Sequence, residues 1–283
     1  MNRVRTCWGI YREAAHSPGR VDDDRAILQR VGEALAARGF DVKLVSPDAE
    51  FDTDFANIFA MCERGPILDR LRDAEKTGSI VVNSPDAIRN TYRHCMIELL
   101  ARHRVPAPAS QIVATDASKP RPSTSVWIKR YDFHATEPHD VMYVASKEGW
   151  LKALQGFARR GIPFVVTQEH VPGDLVKFYG VRNAMAAVDS NWFEWLYHSD
   201  KGMLGHSFEV LALRRAAFGA AAALGLEIFG GDAIVQADGK PVIIDINAWP
   251  SYARYRDSAA QAIADHLTER FQRRPRIVAA AGV

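Results

Sequence analysis

The segment spanning residues 230–250 constrains the fold of this chain more than any other part of the sequence. Its two apolar runs, at 230–235 and 241–250, are separated by Ala237-Asp238-Gly239-Lys240. An Asp-Gly pair between two alternating apolar runs is typical of a tight β-hairpin turn. We therefore predict two antiparallel strands joined by this turn.

The predicted hairpin places oxygen-bearing side chains close together. Because successive side chains of a strand point to opposite faces, Asp245 and Asn247 should share one face. Ile244 and Ile246 should then point to the other face. Asp232 lies on the partner strand, where the hairpin brings it near Asp245 and Asn247. Carboxylate and amide oxygens are ligands that Mg²⁺ takes when it is carried on nucleotide phosphates. A hairpin that merely carries acids on its surface would show the same residues, so both interpretations stay open at this point.

The composition is that of an ordinary globular protein. The chain has 283 residues, enough for one or two domains with a sizeable core, and 47% of them are hydrophobic and 25% charged. The 36 basic and 34 acidic residues give a net charge of +2. This balance indicates neither a nucleic-acid partner nor a membrane surface.

The sequence also favours a cytoplasmic location. No apolar run approaches the roughly 20 residues of a membrane span, and the N-terminus lacks the apolar core of a signal peptide. The three cysteines, Cys7, Cys62 and Cys95, are scattered and do not have metal-ligand spacing. They are typical of buried thiols in a reducing compartment.

The first part of the chain alternates between strands and helices. Helices of this length between strands favour a parallel sheet with right-handed crossovers. The stiff, extended sequence Val105-Pro106-Ala107-Pro108 then indicates a boundary. The predicted strands are 4–11, 40–45, 55–61 and 79–82, and the predicted helices are 22–38, 66–76 and 86–103.

After this boundary the pattern changes to short strands without long helices between them, which favours antiparallel pairing. An alanine-rich helix precedes the hairpin and an amphipathic helix follows it. The predicted strands before the hairpin are 111–114, 126–130, 141–145, 164–171, 175–181 and 184–189, and the predicted helices are 147–160, 206–224 and 255–273.

Two lysines in this part are candidate phosphate ligands. Lys129 ends the predicted strand 126–130, where a lone lysine is more often a solvated charge. Beside a nucleotide it would instead pair with the α- and β-phosphates as a point charge. Lys177 shares a strand face with Leu175 and Tyr179, and a lysine on a buried face needs an anionic partner such as a phosphate.

The segment 165–174 is a candidate nucleobase site. An apolar strand runs into Gln168-Glu169-His170-Val171 and then into a Pro-Gly turn. This is either an ordinary strand end or a segment whose backbone offers adenine a carbonyl and an amide. In the second interpretation, Asp174 lies just beyond, where it would accept hydrogen bonds from the ribose hydroxyls.

Taken in order, these motifs resemble those of the ATP-grasp superfamily, over about residues 80–270 and most closely in the branch of ribosomal-protein glutamate ligases, D-alanine ligases and inositol polyphosphate kinases. The resemblance implies an α/β protein in which an N-terminal parallel βα domain, 1–84, precedes an ATP-grasp domain, 85–283. That domain would contain two α+β subdomains, about 105–168 and 169–275. The matching motifs are Asn83-Ser84-Pro85, Val105-Pro106-Ala107-Pro108, Ile128-Lys129, Gln168-Glu169-His170-Val171, Gly231-Asp232 and Asp245-Ile246-Asn247-Ala248-Trp249-Pro250.

The resemblance also implies roles for individual residues. Asp232, Asp245 and Asn247 would hold one or two Mg²⁺ ions, for which Mn²⁺ would substitute. Lys129, Arg254 and His134 are the predicted catalytic residues. The predicted residues for binding ATP are Arg93, Lys129, Gln168, Glu169, His170, Val171, Asp174 and Lys177.

Several positions depart from the pattern of the superfamily. Arg93 stands near the place of a lysine, and the loop 130–140, usually rich in glycine and serine, contains no glycine but has His134 and His139. These histidines are either ordinary loop residues or contacts to the γ-phosphate or a substrate. Ligases also tend to place an arginine before the first metal-binding aspartate, to hold an acyl phosphate. No arginine lies between residues 191 and 207, whereas Arg254 and Arg256 follow the hairpin and would suit an anionic substrate.

The sequence thus predicts an ADP-forming ligase that uses Mg²⁺ and ATP to activate a carboxylate and join it to an amine. The acceptor would be a small molecule or a peptide, and the quaternary structure expected by default is a homodimer. One alternative is a kinase of the same fold that phosphorylates a hydroxyl of a polyol or sugar. Another is a non-catalytic nucleotide-binding regulatory protein.

Overall fold

The computed structural model describes residues 5–116, 122–132, 135–198 and 202–272. The N-terminal part is a parallel sheet flanked by helices, as the alternating pattern predicts. The strands are β1 (Arg5–Ile10), β2 (Phe40–Val45), β3 (Asn57–Ala60) and β4 (Ile80–Val82), and the helices are α1 (Val21–Ala37) and α2 (Gly65–Lys76). All neighbouring strands in the order β2-β1-β3-β4 pair in parallel.

The helix predicted over 86–103 is wrong as a single element. The structure divides it into α3 (Pro85–Arg89) and α4 (Arg93–Arg102). In the break, the Asn90 side chain donates to the carbonyl oxygen of Leu224 at 3.1 Å, and the Tyr92 hydroxyl donates to that of Glu63 at 2.6 Å. These bonds to other elements satisfy groups at the break, and they place Arg93 at the first turn of α4.

The central part is a four-stranded antiparallel sheet with one helix on its outer face. The elements are β5 (Ser110–Ala114), β6 (Val126–Arg130), β7 (Val141–Val144), α5 (Lys147–Arg159) and β8 (Phe164–Glu169). The strand order is β5-β8-β6-β7. Val126 and Ile128 pack with Trp150 and Leu154 of the helix, so the alternate residues of β6 face the other way.

The C-terminal part is a second antiparallel sheet, in the order β10-β9-β11-β12. Its hairpin is confirmed, because β11 and β12 pair antiparallel and Gly239 adopts a φ of +79° in the turn. The strands are β9 (Asp174–Val181), β10 (Trp192–Tyr197), β11 (Ile228–Val235) and β12 (Pro241–Ala248), with α6 (Val210–Leu224) and α7 (Arg256–Gln272).

Two predictions in this part are wrong. Residues 184–189 form a loop instead of a strand, because the Asn191 side chain accepts from the Asn183 amide at 2.6 Å and holds the chain in turns. The real strand is β10. Residues 206–209 also stay outside α6, because the Asp174 carboxylate accepts from the His206 amide at 2.7 Å.

A β-bulge corrects the predicted faces of β12. Asp232 pairs with Asp245, but the next residue, Ala233, pairs with Ile243, which leaves Ile244 as the extra residue. Ile243 and Ile246 are therefore buried, and Ile244 is half-buried. Asp245 and Asn247 still share one face, as predicted.

The last helix completes the core of the first sheet. Leu267 and Phe271 of α7 pack with Leu28 and Leu35 of α1. Cys7 and Cys62 are buried free thiols, as predicted, and Cys95 is half-buried. Among the residues that the structure describes, no helix is long and apolar enough to cross a membrane.

Candidate active site

Two carboxylates face each other at the middle of the hairpin. Asp232 and Asp245 are directly paired across β11 and β12, and Asn247 is paired with Gly230 on the same face. The predicted set of three oxygen-bearing side chains is thus brought together by strand register. A Cβ atom on Gly231 would lie 2.2 Å from the carbonyl oxygen of Asp245, so a side chain at this position would separate the two strands.

Lys177 lies beside this pair. It is the β9 partner of Asp232, and its Nζ is 3.1 Å from Asp232 Oδ1. Burial raises the pKa of Asp232, the Lys177 ammonium lowers it, and the Asp245 carboxylate raises it again; the net direction is upward. A second positive charge at this carboxylate pair would therefore be stabilising.

Two further cations reach the same place, Lys129 from the central sheet and Arg93 from the first turn of α4. Lys129 of β6 is buried, and its Nζ donates to the carbonyl oxygen of Ile244 at 3.0 Å. The bulge presents this carbonyl, which sequence reasoning did not foresee. Arg93 is also buried, with its guanidinium 3.9 Å from Asp245 and 3.2 Å from the carbonyl oxygen of Arg130. The predicted phosphate ligands Arg93, Lys129 and Lys177 therefore converge on the two aspartates.

Burial dominates the electrostatics of these two cations. It lowers the pKa of Lys129 to about 8, although Asp245 acts in the opposite direction. It likewise lowers the pKa of Arg93, which Asp245 and two more distant aspartates only partly offset. Both groups would be stabilised by further negative charge in the space between the sheets.

The donor set suits Mg²⁺ carried on phosphates. Magnesium in such sites is bound by one or two carboxylates together with phosphate oxygens, and Asp232, Asp245 and Asn247 offer two carboxylates and an amide oxygen. Within the described ranges, no group of three or more His, Cys, Asp or Glu side chains is placed to hold a metal ion by itself.

The segment predicted to meet adenine spans the end of β8 and the two residues after it. Gln168 is buried and Glu169 and His170 are exposed. The Glu169 amide donates to Ala109 and the His170 amide donates to Ser125. Both amides are thus already engaged within the protein, so the amide predicted to contact adenine would have to be that of Val171.

Asp174, which is predicted to bind the ribose, is engaged within the protein. Its carboxylate is fully buried, and it accepts hydrogen bonds from the amides of Leu204 and His206. Burial raises the pKa of Asp174, but the hydrogen bonds from these amides contribute to a larger opposing effect, so its pKa is lowered overall. A ribose would have to displace the loop that this carboxylate holds.

Sequence reasoning missed an aromatic cluster beside this segment. The Trp127 and Tyr143 rings are 5.3 Å apart, and Trp127 Nε1 donates to His170 Nδ1 at 3.2 Å. Trp127 precedes Lys129 by two residues on the same strand, so both face the space between the sheets. This i, i+2 relation was the signal available in the sequence.

The two arginines after the hairpin, Arg254 and Arg256, lie in different surroundings. Arg256 pairs with Asp23 of α1 at 2.6 Å, so it is already engaged and does not suit the predicted binding of an anionic substrate. Arg254 is exposed and borders a cleft of about 620 Å³ between α1 and the start of α7. His134, the remaining predicted catalytic residue, lies outside the described residues.

Comparison with solved structures relates this arrangement to known proteins. No family model and no curated protein matches the chain. The structure is similar to D-alanyl-alanine synthetase A from Vibrio cholerae, with a TM-score of 0.70 and 9% identity over 95% of this chain and 99% of that chain. It is also similar to a RimK domain ATP-grasp protein from Sphaerobacter thermophilus, with a TM-score of 0.67 and 18% identity over 92% and 99%.

A third similar structure is the ATP-grasp ligase PsnB in complex with a minimal precursor, Mg and ADP. Its TM-score is 0.60, at 16% identity over 94% of this chain and 98% of that chain. These matches span nearly the full length of both partners, and they confirm the fold expected from the motifs. The chain therefore has the ATP-grasp fold.

Proposed function

We propose that this protein is an ATP-dependent, ADP-forming ligase that activates a carboxylate as an acyl phosphate and joins it to an amine. The observation that carries the proposal is the convergence of three cations on two aspartates between two antiparallel sheets. Arg93 and Lys129 come from one side, and Lys177, Asp232 and Asp245 from the other. Solved structures of the same fold are named as ligases, among them one with Mg and ADP.

The chain's own residues would position and neutralise the phosphates. In the reaction, a carboxylate oxygen attacks the γ-phosphorus of ATP and ADP leaves. The amine then attacks the acyl carbon, and phosphate leaves with one oxygen of the original carboxylate. Lys129 and Lys177 would hold the phosphate charge, and positioning with charge neutralisation is most of what phosphoryl transfer requires.

Asp232, Asp245 and Asn247 would hold Mg²⁺, which would supply positive charge to neutralise the charge that develops on the phosphates. The half-buried carboxylates and the buried Lys129 lie on facing sheets, so a bound nucleotide would be enclosed between them. Enclosure lowers the local dielectric and strengthens each of these interactions.

A labelled carboxylate tests the proposal. The protein is mixed with Mg²⁺, ATP and a panel of ¹⁸O-labelled carboxylates and amines, and ADP and phosphate are followed by NMR and mass spectrometry. We expect ADP release that needs both substrates, with ¹⁸O appearing in free phosphate. Nucleotide binding without ADP release across the panel would favour a regulatory protein instead.

A kinase of the same fold is the second candidate, favoured by one observation. Ligases of this fold tend to carry an arginine before the first metal-binding aspartate, and residues 191–207 contain none. A kinase would leave the phosphate on the product instead of releasing it. The same experiment, with polyols and sugars added to the panel, distinguishes the two reactions.

A further inference from the structure

The face of the C-terminal sheet that carries the aspartates continues beyond them to the edge strand β10. Strand register places Glu194 of β10 opposite Tyr179 of β9, then Gly230 of β11 and Asn247 of β12. The neighbouring row contains Leu196, Lys177, Asp232 and Asp245. Glu194 therefore lies on the same face as the proposed phosphate site, two strands away from Asp232.

The surroundings of Glu194 are aromatic. The Trp192 ring, two residues before it on the same face, is 5.7 Å from Tyr252, and Tyr179 is 5.5 Å from Tyr252 and 5.9 Å from Tyr255. The Tyr255 hydroxyl donates to the carbonyl oxygen of Trp195 at 2.9 Å, which fixes the start of α7 against β10. A carboxylate bordered by aromatic rings is suited to bind an organic cation.

Among the described residues, none provides a counter-charge to the Glu194 carboxylate. Within the part of the chain that the structure describes, no hydrogen bond or ion pair engages its side chain, although the residue is half-buried. Lys177, on the adjacent strand, is already engaged by Asp232. A half-buried carboxylate without a partner gains from a cationic ligand.

The spacing of the strands defines which part of a ligand would reach Glu194. Strands lie about 4.8 Å apart with about 3.3 Å per residue, so the Cα atoms of Glu194 and Asp232 are about 12 Å apart. Glu194 is therefore too far from the phosphates to touch the reacting atoms. It suits a cationic group on a remote part of the acceptor.

We propose that Glu194 is a specificity-determining residue that binds a positively charged group of the acceptor substrate, remote from the reacting amine. This inference rests on the proposed ligase function. It names the class of acceptor: a molecule with a second group that is cationic at neutral pH, such as a diamine or a peptide with a basic side chain.

The test compares wild-type protein with Glu194→Gln, Glu194→Lys and the control Glu148→Gln, an exposed glutamate on α5. Acceptor probes are putrescine, lysine and lysyl-glycine as cations, with glycine and glutamate as matched molecules without a second cationic group. ADP release is measured with saturating Mg²⁺ and ATP and with the carboxylate that supports the most ADP release in the panel described above. We expect the cationic probes to be preferred, and Glu194→Gln to raise their KM at least tenfold, with a change in kcat of less than threefold. Glu194→Lys should favour glutamate, and Glu148→Gln should match wild type.

A binding measurement keeps the proposal separate from the ligase function. The same probes are titrated calorimetrically in the presence of Mg²⁺ and a non-hydrolysable ATP analogue, and the cations should bind wild type at least tenfold more tightly than Glu194→Gln. Equal affinities, or no cation binding, would overturn the role of Glu194. ADP release with other acceptors would then leave the ligase function standing, whereas cation binding without any ADP release would support Glu194 and refute the ligase.

Discussion

Two groups of buried charges in this molecule differ in what sets their pKa values. At the hairpin, burial lowers the pKa of Lys129 and of Arg93, and nearby carboxylates do not compensate. Around Arg12, on the loop after β1, burial also acts to lower the pKa of the guanidinium. There the carboxylates of Glu63, Asp24 and Glu13 outweigh burial, and the pKa is raised.

The contacts explain the difference. Arg12 lies 3.3 Å from Glu63 and 3.5 Å from Asp24, and it donates to the carbonyl oxygens of Ala248 and Trp249 at 3.0 and 2.7 Å. Its donors are thus used in holding the N-terminal sheet against the end of β12. The cations at the hairpin exceed the carboxylates that face them. A matched network stabilises the fold, whereas an unmatched one suits an anionic ligand.

The largest expected effect comes from breaking the matched network. Arg12→Met removes the guanidinium that faces the buried carboxylates of Glu63 and Asp24, so we expect a loss of roughly 3–5 kcal/mol in the free energy of unfolding. Urea denaturation followed by circular dichroism measures it. Arg12→Lys keeps the charge but not the planar set of donors, and should lose less. A loss below 1 kcal/mol in Arg12→Met would contradict the structural role of this network.

Substitutions among the charges at the hairpin should change activity more than the free energy of unfolding. Asp245→Asn keeps the size of the side chain but removes a charge that would face Mg²⁺, so we expect ADP formation to fall roughly 10²- to 10³-fold. The free energy of unfolding should change by less than in Arg12→Met. Asp257→Asn, at an exposed position on α7, is the matched control. Activity within threefold of wild type would rule out Asp245 as a metal ligand.

A variant of Lys129 tests the same difference between the hairpin charges and the Arg12 network, and its expected effect is smaller. Lys129→Met removes a cation that burial disfavours, so the unliganded protein should keep its stability within about 1 kcal/mol, while Mg²⁺-ATP binding weakens roughly 10- to 100-fold. Isothermal titration with a non-hydrolysable analogue measures the affinity, and Lys152→Met on the surface of α5 is the control. If this variant lost as much stability as Arg12→Met, the distinction between the two networks would fail.

The sequence predicted the parts of this site that local patterns define. Alternation along one hairpin was enough to place Asp232 near Asp245 and Asn247, and the spacing of strands and helices predicted a parallel sheet followed by antiparallel strands. The bulge at Ile244 could not be predicted, because it depends on how two strands register after they pair. The hydrogen bonds of Asp174 could not be predicted for a similar reason, since their donors lie about 30 residues away in a loop.

The aromatic strand β10 shows the same limit more clearly. The sequence Trp-Phe-Glu-Trp-Leu-Tyr reads as an apolar cluster, and only its pairing with β9 reveals that Glu194 shares the face of the aspartates. Residues 184–189 were predicted as a strand, but side chains of Asn183 and Asn191 hold them in turns. The aromatic residues of β10 favour a strand more strongly than the alanines of 184–189, and this difference was the signal available in the sequence.

Glu75 on α2 lies outside the site, and yet burial dominates its pKa as it does at the hairpin. This residue therefore tests whether burial-dominated charges elsewhere in the fold also affect nucleotide binding. Burial and then Asp86 raise the pKa of Glu75 from 4.5 to about 7, against smaller opposing effects of Arg270 and Arg72. Between these values the folded state binds more protons than the unfolded state, so the free energy of unfolding should fall as pH rises from about 4.5 to 7. Glu75→Gln removes this dependence, and its advantage over wild type should grow across the window to about 1 kcal/mol, since solvent screening reduces the full effect. Urea denaturation across that range measures the difference, with the exposed Glu50→Gln as control. We expect the affinity for Mg²⁺-ATP to stay unchanged in Glu75→Gln. A change in this affinity together with the free energy of unfolding would contradict the distinction between the charges of the site and those of the rest of the fold.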